Sequence, residues 1–548
     1  MLATVRPTLL LGLLLASPAL AQTPGRFAGD GIVIGLEYAL ADTERATVAK
    51  AKVFAETGMP GMKNIGEAVA WGAMQAGPTA PINYDKVDWF VREYQRNGFT
   101  DLTLPLKPHC RWGSKDSRLL KTTNPTPKPQ YVEHFKRWVG GIVERYDADG
   151  VDDMPGLRWP VRVVEIGTEF SSYEPEPVAQ YLAMLEIAYK EAHRVYPEVV
   201  VTHAAFLTTP VDLDVARPAD YPRVWRETKR HDTHHEFKDL QAVLDRPDLF
   251  DVINLHNLGS PYEIEHQMRW LAWEMRQRNY RKRVIISDTL PTSYIAWGPA
   301  TTCKGNPLGI LIPPATEADR CRLAAFFTKL VDKKPATLAW TRGFVAADHV
   351  QRAIIATEQG IERINLSFVA DLPFLTSKWA RAGAGISAWA GATRQNPRTG
   401  RVFERYPLFH AIRQLMGHLT GYRSIERVEF ADPAARVYRV EGRRGPFWVA
   451  WHDPQGVLLP ADGSSQLGVA LEINSSRAVV ERVITGLGQT VAESQQRQAT
   501  GGVLEISLTH TPVFVVPNLS ENLKTSQRLV PAAEEEGGAR PRRRREGP

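Results

Sequence analysis

Two short apolar runs in this chain end in a carboxylate. Val163-Val164-Glu165-Ile166-Gly167-Thr168-Glu169-Phe170 carries Glu169 just past its β-branched stretch, and Val284-Ile285-Ile286-Ser287-Asp288-Thr289 carries Asp288. Runs of this kind read as buried strands. If both strands stand in one barrel, both carboxylates lie at its C-terminal mouth, where barrel active sites are built. Across such a mouth, one carboxyl group can protonate a leaving oxygen while the other attacks or activates water. Cleavage of a glycosidic bond is the reaction that needs this pair. Taken singly, each acid also fits an ion pair or a helix cap; their joint placement carries the reading.

Other polar and aromatic residues are candidates for contacts around that mouth. Pro108-His109-Cys110-Arg111-Trp112 follows the third apolar run, and His109 and Trp112 are expected to meet a sugar, the indole by stacking. Glu37 and Trp71 close the first and second runs and read as barrel-core or supporting residues. Trp389, beyond the eighth run, lines the cleft or packs beneath it. His231, His234, His235 and Glu236 cluster after the fifth run. They lack a helical i, i+4 pair with a matching carboxylate, so a polar loop over the mouth is expected rather than a metal site. No metal or organic cofactor is implied.

The elements that must position these groups recur along the first four hundred residues. Apolar runs at Ile32–Glu37, Ala68–Met74, Thr100–Leu106, Val161–Thr168, Val199–Ala205, Val252–His256, Val284–Asp288 and Arg363–Phe368 predict strands. Between them, amphipathic periodicity predicts helices at Asp85–Asn97, Tyr131–Tyr146, Glu176–Val195, Glu263–Arg278 and Ala318–Val331. Eight strands alternating with helices predict an α/β fold, a closed (β/α)8 TIM barrel over residues 28–417. An open doubly wound sheet fits less well, because no Gly-rich phosphate loop follows the first strand.

After Leu415 the pattern changes. Short strands at Arg436–Val440, Phe447–Trp451, Arg477–Val483, Val503–Ser507 and Val513–Val516 are separated by Gly, Asp and Pro, which predicts a C-terminal β-sandwich over residues 422–518. No Ser/Gly/Pro-rich linker precedes it, so it is expected to pack on the barrel, with Trp448 and Trp451 buried. Residues 519–548 end in Glu534-Glu535-Glu536 and Arg542 to Arg545, a composition expected to be disordered. Residues 1–21 read as an export signal, with Arg6, the apolar Leu9 to Ala16 and the cleavage-type Ala19-Leu20-Ala21. Export makes a Cys303–Cys321 bridge possible, worth about 3 kcal/mol by loop closure; a Cys110–Cys303 pairing also stays open.

Composition narrows the partners. A net charge of +6 is a small difference between 67 basic and 61 acidic residues without a basic face, which argues against nucleic acid. No internal stretch is apolar for the ~20 residues that a membrane-spanning helix needs. Fourteen Trp and sixteen Tyr supply flat faces of the kind that suit a carbohydrate ligand.

At this point the chain resembles a family. Glu144-Arg145-Tyr146-Asp147, Asp149-Gly150 and Asp152-Asp153-Met154-Pro155-Gly156, leading into Val164-Glu165-Ile166-Gly167-Thr168-Glu169, resemble the strand-four region of clan A glycoside hydrolases, where the usual pattern is Glu-Ile-Gly-Asn-Glu-Pro. Tyr181 to Tyr189 with Tyr196-Pro197, Phe250-Asp251-Val252 with His256, and Tyr406-Pro407 to Gly421-Tyr422 resemble later parts of the same fold, so that the likeness spans residues 30 to 520. It implies a retaining (β/α)8 enzyme with Glu169 as general acid/base, Asp288 in the nucleophile's place and His256 near the sugar; the export signal implies that it is secreted or periplasmic. It also marks departures. Thr168 stands where an Asn binds the sugar 2-hydroxyl, Leu258 where a Tyr supports the nucleophile, and Asp288 where Glu is usual. The shorter Asp withdraws its carboxylate by about 1.5 Å. Retaining enzymes hold the pair about 5–5.5 Å apart and inverting ones ~6.5–9.5 Å, so retention, inversion and a degenerate barrel that binds carbohydrate without cleaving it all stay open. Lyase chemistry lacks support, since no Tyr/Arg or calcium cluster presents itself.

Overall fold

The computed structural model describes residues 31–518 apart from 40, 42, 65, 117–123, 171–173, 208–214, 229–233, 297–302, 304–309, 373–375, 377–384 and 397. The export signal, the C-terminal tail and His231 therefore lie outside the described residues. Eight strands form one parallel sheet: β1 (Val33–Glu37), β2 (Gly61–Lys63), β3 (Asp101–Leu106), β4 (Val163–Glu169), β5 (Val200–Leu207), β6 (Val252–Asn257), β7 (Arg283–Thr289) and β8 (Arg363–Phe368). Their spatial order runs β1, β8, β7, β6, β5, β4, β3, β2, so neighbours in space are neighbours in sequence and the sheet curls into a barrel. The fold is a TIM barrel followed by a β-sandwich.

Seven of the eight expected strands are present. The correction is the second. Ala68–Met74 is not extended; it holds a 3-10 turn at Gly66–Val69 and a helical turn at Trp71–Met74, and the strand is Gly61–Lys63. Those three residues touch β1 through bare backbone. A Cβ on Gly35 would lie 2.8 Å from the Gly61 carbonyl carbon, and one on Gly61 would lie 3.0 Å from the Ile34 carbonyl oxygen. Only glycine permits that approach. β2 ladders with β3, but no ladder joins it to β1 among the described residues; one hydrogen bond, Ala39 N–H to the Lys63 carbonyl at 3.3 Å, bridges the seam.

Amphipathic helices cover the barrel as expected. One helix that the periodicity does not reveal, Pro335–Glu358, is buried on nearly every face. It runs between the barrel and the sandwich, so it has no polar side to betray it. Inside it, Arg352 and Asp348 form a fully buried ion pair one turn apart.

The sandwich consists of a six-stranded antiparallel sheet and a two-stranded layer made by Leu467–Glu472 and Val503–Leu508. Strand Gly445–His452 shows how it sits. Trp448 and Ala450 point into the sandwich core, while the alternate Phe447, Val449 and Trp451 join the same apolar cluster as the barrel helices. Trp448 and Trp451 are buried, as the sequence reading expects. The Trp451 indole N–H donates to the Tyr262 hydroxyl at 2.9 Å, and Arg436 pairs with Glu265 at 2.9 Å across the junction. No helix among the described residues is long and apolar enough to cross a membrane. All three cysteines are free thiols; Cys110 is buried, and Cys321 Sγ lies 3.8 Å from the Cys303 carbonyl oxygen without a bridge.

Candidate active site

The strands that carry candidate residues are irregular at their C-terminal ends. Ladder register shifts between Gly35 and Glu37 on β1, between Ile166 and Glu169 on β4, between Leu255 and His256 at the β6–β7 pairing and between Ile364 and Leu366 on β8. A bulge of this sort redirects the side chains that follow it. On β4 the irregularity centres on Gly167, whose φ is +98° and whose missing Cβ would meet Glu174 Oε1 at 2.8 Å. That backbone turn delivers Glu169 to the mouth.

Glu169 Oε1 lies 2.8 Å from His256 Nδ1, and His256 Nε2 lies 3.0 Å from the Ser287 hydroxyl. Both Glu169 and His256 are buried, while Asp288 is half-buried. Glu169, His256 and Asp288 each present an atom within 4.8 Å of the other two. The nearest oxygens of the two carboxylates thus lie within 4.8 Å of each other. Burial alone would lower the pKa of His256, but its hydrogen bond to Glu169 and the charges of Glu169 and Asp288 prevail and hold it above the ordinary histidine value. Asp288 is held above the usual carboxylate range by burial, against the pull of His256 and Lys63.

The end of β7 is tied down from three sides. The Ser287 carbonyl accepts from Asn365 Nδ2 at 2.8 Å and from Lys63 Nζ at 3.3 Å, while the Ser287 N–H donates to Asn254 Oδ1 at 3.2 Å. Below the mouth, Lys63 Nζ sits 3.3 Å from Glu37 Oε1 and 3.4 Å from Glu165 Oε2. The loop that presents Glu169 has its own clamp. Glu174 accepts the backbone N–H of Thr168 at 2.8 Å and of Glu169 at 2.9 Å, one on each oxygen. Burial pushes the Glu174 carboxyl up to about 7. His235 stacks on Phe170 at 4.0 Å and reaches the Glu174 carbonyl through Nε2 at 2.6 Å, locking the same loop.

The structure thus joins Glu169, His256 and Asp288, and puts Thr168 beside them with its N–H spent on Glu174. His109 is buried, its carbonyl accepting the Gly72 N–H at 2.8 Å. Trp112 packs edge-on against Trp71 at 4.9 Å and Tyr131 at 5.2 Å, and its indole N–H donates to the Gln75 carbonyl. Trp71 stands on the helical turn after β2 rather than on a strand, and Trp389 is buried. Lys63, Glu174 and Ser287 escape the sequence reading. Each acts through partners far away in the chain, and only the position of Ser287 beside Asp288 signals it. Glu169, His256 and Asp288 could also converge on a divalent cation, as could Asp147, Asp149 and Asp153. In the first trio the histidine nitrogen already engages Glu169, which suits proton transfer.

No family model matches the chain, and no curated protein matches it. Solved structures do match in fold. A family 39 glycoside hydrolase from the gut symbiont Bacteroides cellulosilyticus WH2 superposes with a TM-score of 0.53 at 11% identity, over 89% of this chain and 81% of that one. A monomeric beta-xylosidase from Caulobacter crescentus CB15 superposes with a TM-score of 0.50 at 11% identity, over 89% of this chain and 97% of that one. The chain has a glycoside-hydrolase-like fold, as the strand-four resemblance implies.

Proposed function

We propose that this chain cleaves O-glycosidic bonds of an oligo- or polysaccharide by a retaining double displacement, with Glu169 as general acid/base and Asp288 as nucleophile. The approach of Glu169, His256 and Asp288 to within 4.8 Å of one another at the barrel mouth carries the reading. In the first step Asp288 attacks the anomeric carbon while Glu169 gives its proton to the departing oxygen. In the second, Glu169 takes a proton from water, which attacks the same carbon and releases Asp288. His256 shares a proton with Glu169, and the Ser287 hydroxyl fixes its ring. Thr168, at the base of Glu169, is a candidate contact for a sugar hydroxyl. Export, read from residues 1–21, belongs to the same proposal.

The test is a panel of nitrophenyl glycosides of pentoses, hexoses and uronic acids with the wild type, Glu169→Gln and Asp288→Asn. Loss of a general acid/base should cost about 10²–10⁴-fold in turnover. Turnover that survives Glu169→Gln removes Glu169 from the mechanism. Proton NMR of the first-formed sugar decides the stereochemistry, and an inverted anomer overturns the role of Asp288 as nucleophile. Oligosaccharide binding by calorimetry without product after long incubation would make the chain a carbohydrate-binding barrel instead.

A further inference from the structure

Three cavities follow one another along the junction of barrel and sandwich, and neighbouring ones share walls. The first, of about 210 Å³, lies beside Ser260 and Thr292, each three residues past the end of β6 or β7. Those are the strands that carry His256 and Asp288. The second, of about 360 Å³, shares Phe344, Leu458 and His510 with the first. The third, of about 290 Å³, shares Gln466, Arg482 and Thr509 with the second. The row thus leads from the edge of the sandwich toward the strand ends of the barrel.

The helix Pro335–Glu358 makes one wall of the second cavity. At Gly343 it meets the sandwich with bare backbone, since a Cβ there would lie 2.7 Å from the Thr485 carbonyl oxygen. Next to this contact Trp340 stacks on Phe344 at 5.1 Å, and Phe344 stacks on His510 at 5.2 Å. Trp340 is half-buried and gives the cavity a flat apolar wall. The facing wall is polar. Ser464, Gln466, Thr485 and Thr509 bring hydroxyl and amide groups, and no acidic side chain among the described residues lines this cavity. An aromatic wall opposite neutral donors and acceptors suits a sugar ring, which has an apolar C–H face and a rim of hydroxyls.

Arg482 stands where the second cavity meets the third. Its strand, Arg477–Arg482, pairs with Ser494–Gln498 so that Ala478 lies opposite Arg497 and Val480 opposite Gln495. Side chains alternate along a strand, which puts Arg482 and Arg497 on one face of the sheet. Both are exposed, and neither guanidinium has an ion pair or hydrogen-bond partner among the described residues. Glu493 is the sole acid among the described residues that line the third cavity. Two open guanidinium forks against one acid favour a carboxylate-bearing ligand.

Resting on the hydrolase reading above for the class of ligand, we propose that these cavities form a second saccharide site, which holds a stretch of glycan bearing carboxylate groups. Trp340 carries a sugar ring, the hydroxyl and amide groups of the sandwich take its hydroxyls, and Arg482 and Arg497 take the carboxylates. A glycan so held points along the row to the loops after β6 and β7, and the site feeds acidic glycan to the barrel mouth.

Calorimetry and hydrogen exchange on the full chain test this, in the Asp288→Asn background so that no cleavage consumes the ligand. Tetragalacturonic acid should bind, and the neutral xylotetraose should bind at least about ten-fold more weakly. Arg482→Ala, at an exposed position, should weaken the acidic ligand by about ten-fold or more, as expected for one lost charged hydrogen bond. In the chain with Asp288 intact, Arg482→Ala should leave the turnover of nitrophenyl glycosides unchanged. Bound tetragalacturonic acid should slow amide exchange in residues 463–466 and 509–511. Equal binding of the two tetrasaccharides, an affinity that Arg482→Ala leaves unmoved, or unchanged exchange in those segments overturns the proposal. Trp340→Leu should weaken both ligands; if it does not fold, the Arg482 and exchange arms decide. Glycoside turnover without binding here overturns this site and leaves the hydrolase reading standing, while binding here without any turnover does the reverse.

Discussion

Glu174 touches no reacting atom in the proposed reaction, yet both of its oxygens hold the backbone of the residues that present Glu169. Its folded pKa of about 7 against an ordinary 4.5 makes it a pH-dependent clamp. The protonated form is favoured by the fold, so its contribution is fully present below about 4.5 and is lost as pH rises through about 7, on the order of 3 kcal/mol in all. The melting temperature of the wild type should therefore fall between about pH 5 and about pH 8. In Glu174→Gln, which has no titration there, that slope should flatten while overall stability drops, because one of the two N–H groups loses its acceptor. An unchanged slope would show that another group governs this range. At this scale the sequence was legible where a residue's position follows from its place at a strand end, as for Glu169, His256 and Asp288, which the fold brings together. It was illegible where the role is a gift of the fold. Glu174 looks like any loop acid, and Lys63 like any lysine, until the strands bring their partners to them.

Among the elements, β4 shows how a local backbone choice becomes chemistry. Gly167 sits at φ +98° with Glu174 Oε1 and the Ala204 Cβ already occupying the space of a side chain. Gly167→Ala should cost at least about 1–2 kcal/mol for the left-handed backbone, before any displacement of Glu174. Turnover should fall more than stability, since Thr168 and Glu169 move with the bulge; chemical denaturation and glycoside assays on the same preparation separate the two. A variant that loses stability alone would place the bulge outside the catalytic geometry. Strands β3 to β8 were readable because each is long enough to show an apolar or β-branched pattern. β2 was not. Gly61–Lys63 is too short for any periodicity, while the neighbouring Ala68–Met74 imitates a strand by composition. The helix Pro335–Glu358 hid for the opposite reason, being apolar toward two layers at once. The sandwich strand Ser494–Gln498 hid because all five of its residues are exposed, which leaves no buried face to alternate with.

In the whole molecule, barrel and sandwich share one core. Tyr438, Phe447, Val449, Trp451 and Phe514 from the sandwich lie in the same apolar cluster as Leu408, Phe409 and Leu415 from the last barrel helix. Gln414 reaches across to the Arg482 carbonyl and the Ile484 N–H, and Gln351 to the His510 carbonyl at 2.7 Å. A fragment ending near Gln414 would strip that surface bare, so it should be insoluble or markedly destabilised, and the intact chain should melt in a single calorimetric transition. A soluble fragment with an unchanged melting temperature would overturn the shared core. The absence of a linker made this packing legible in the sequence, whereas the contacts that enforce it were not. The barrel itself is a ring with one stitch different from the others. Among the described residues, every strand boundary is closed by a ladder except that between β1 and β2, where Gly35 and Gly61 press backbone on backbone and a single hydrogen bond spans the gap. Unladdered amides exchange with solvent through smaller openings than laddered ones. In deuterated buffer, label should enter along this seam well before it enters β4 to β7, which gives the closed barrel a fixed place from which to unzip.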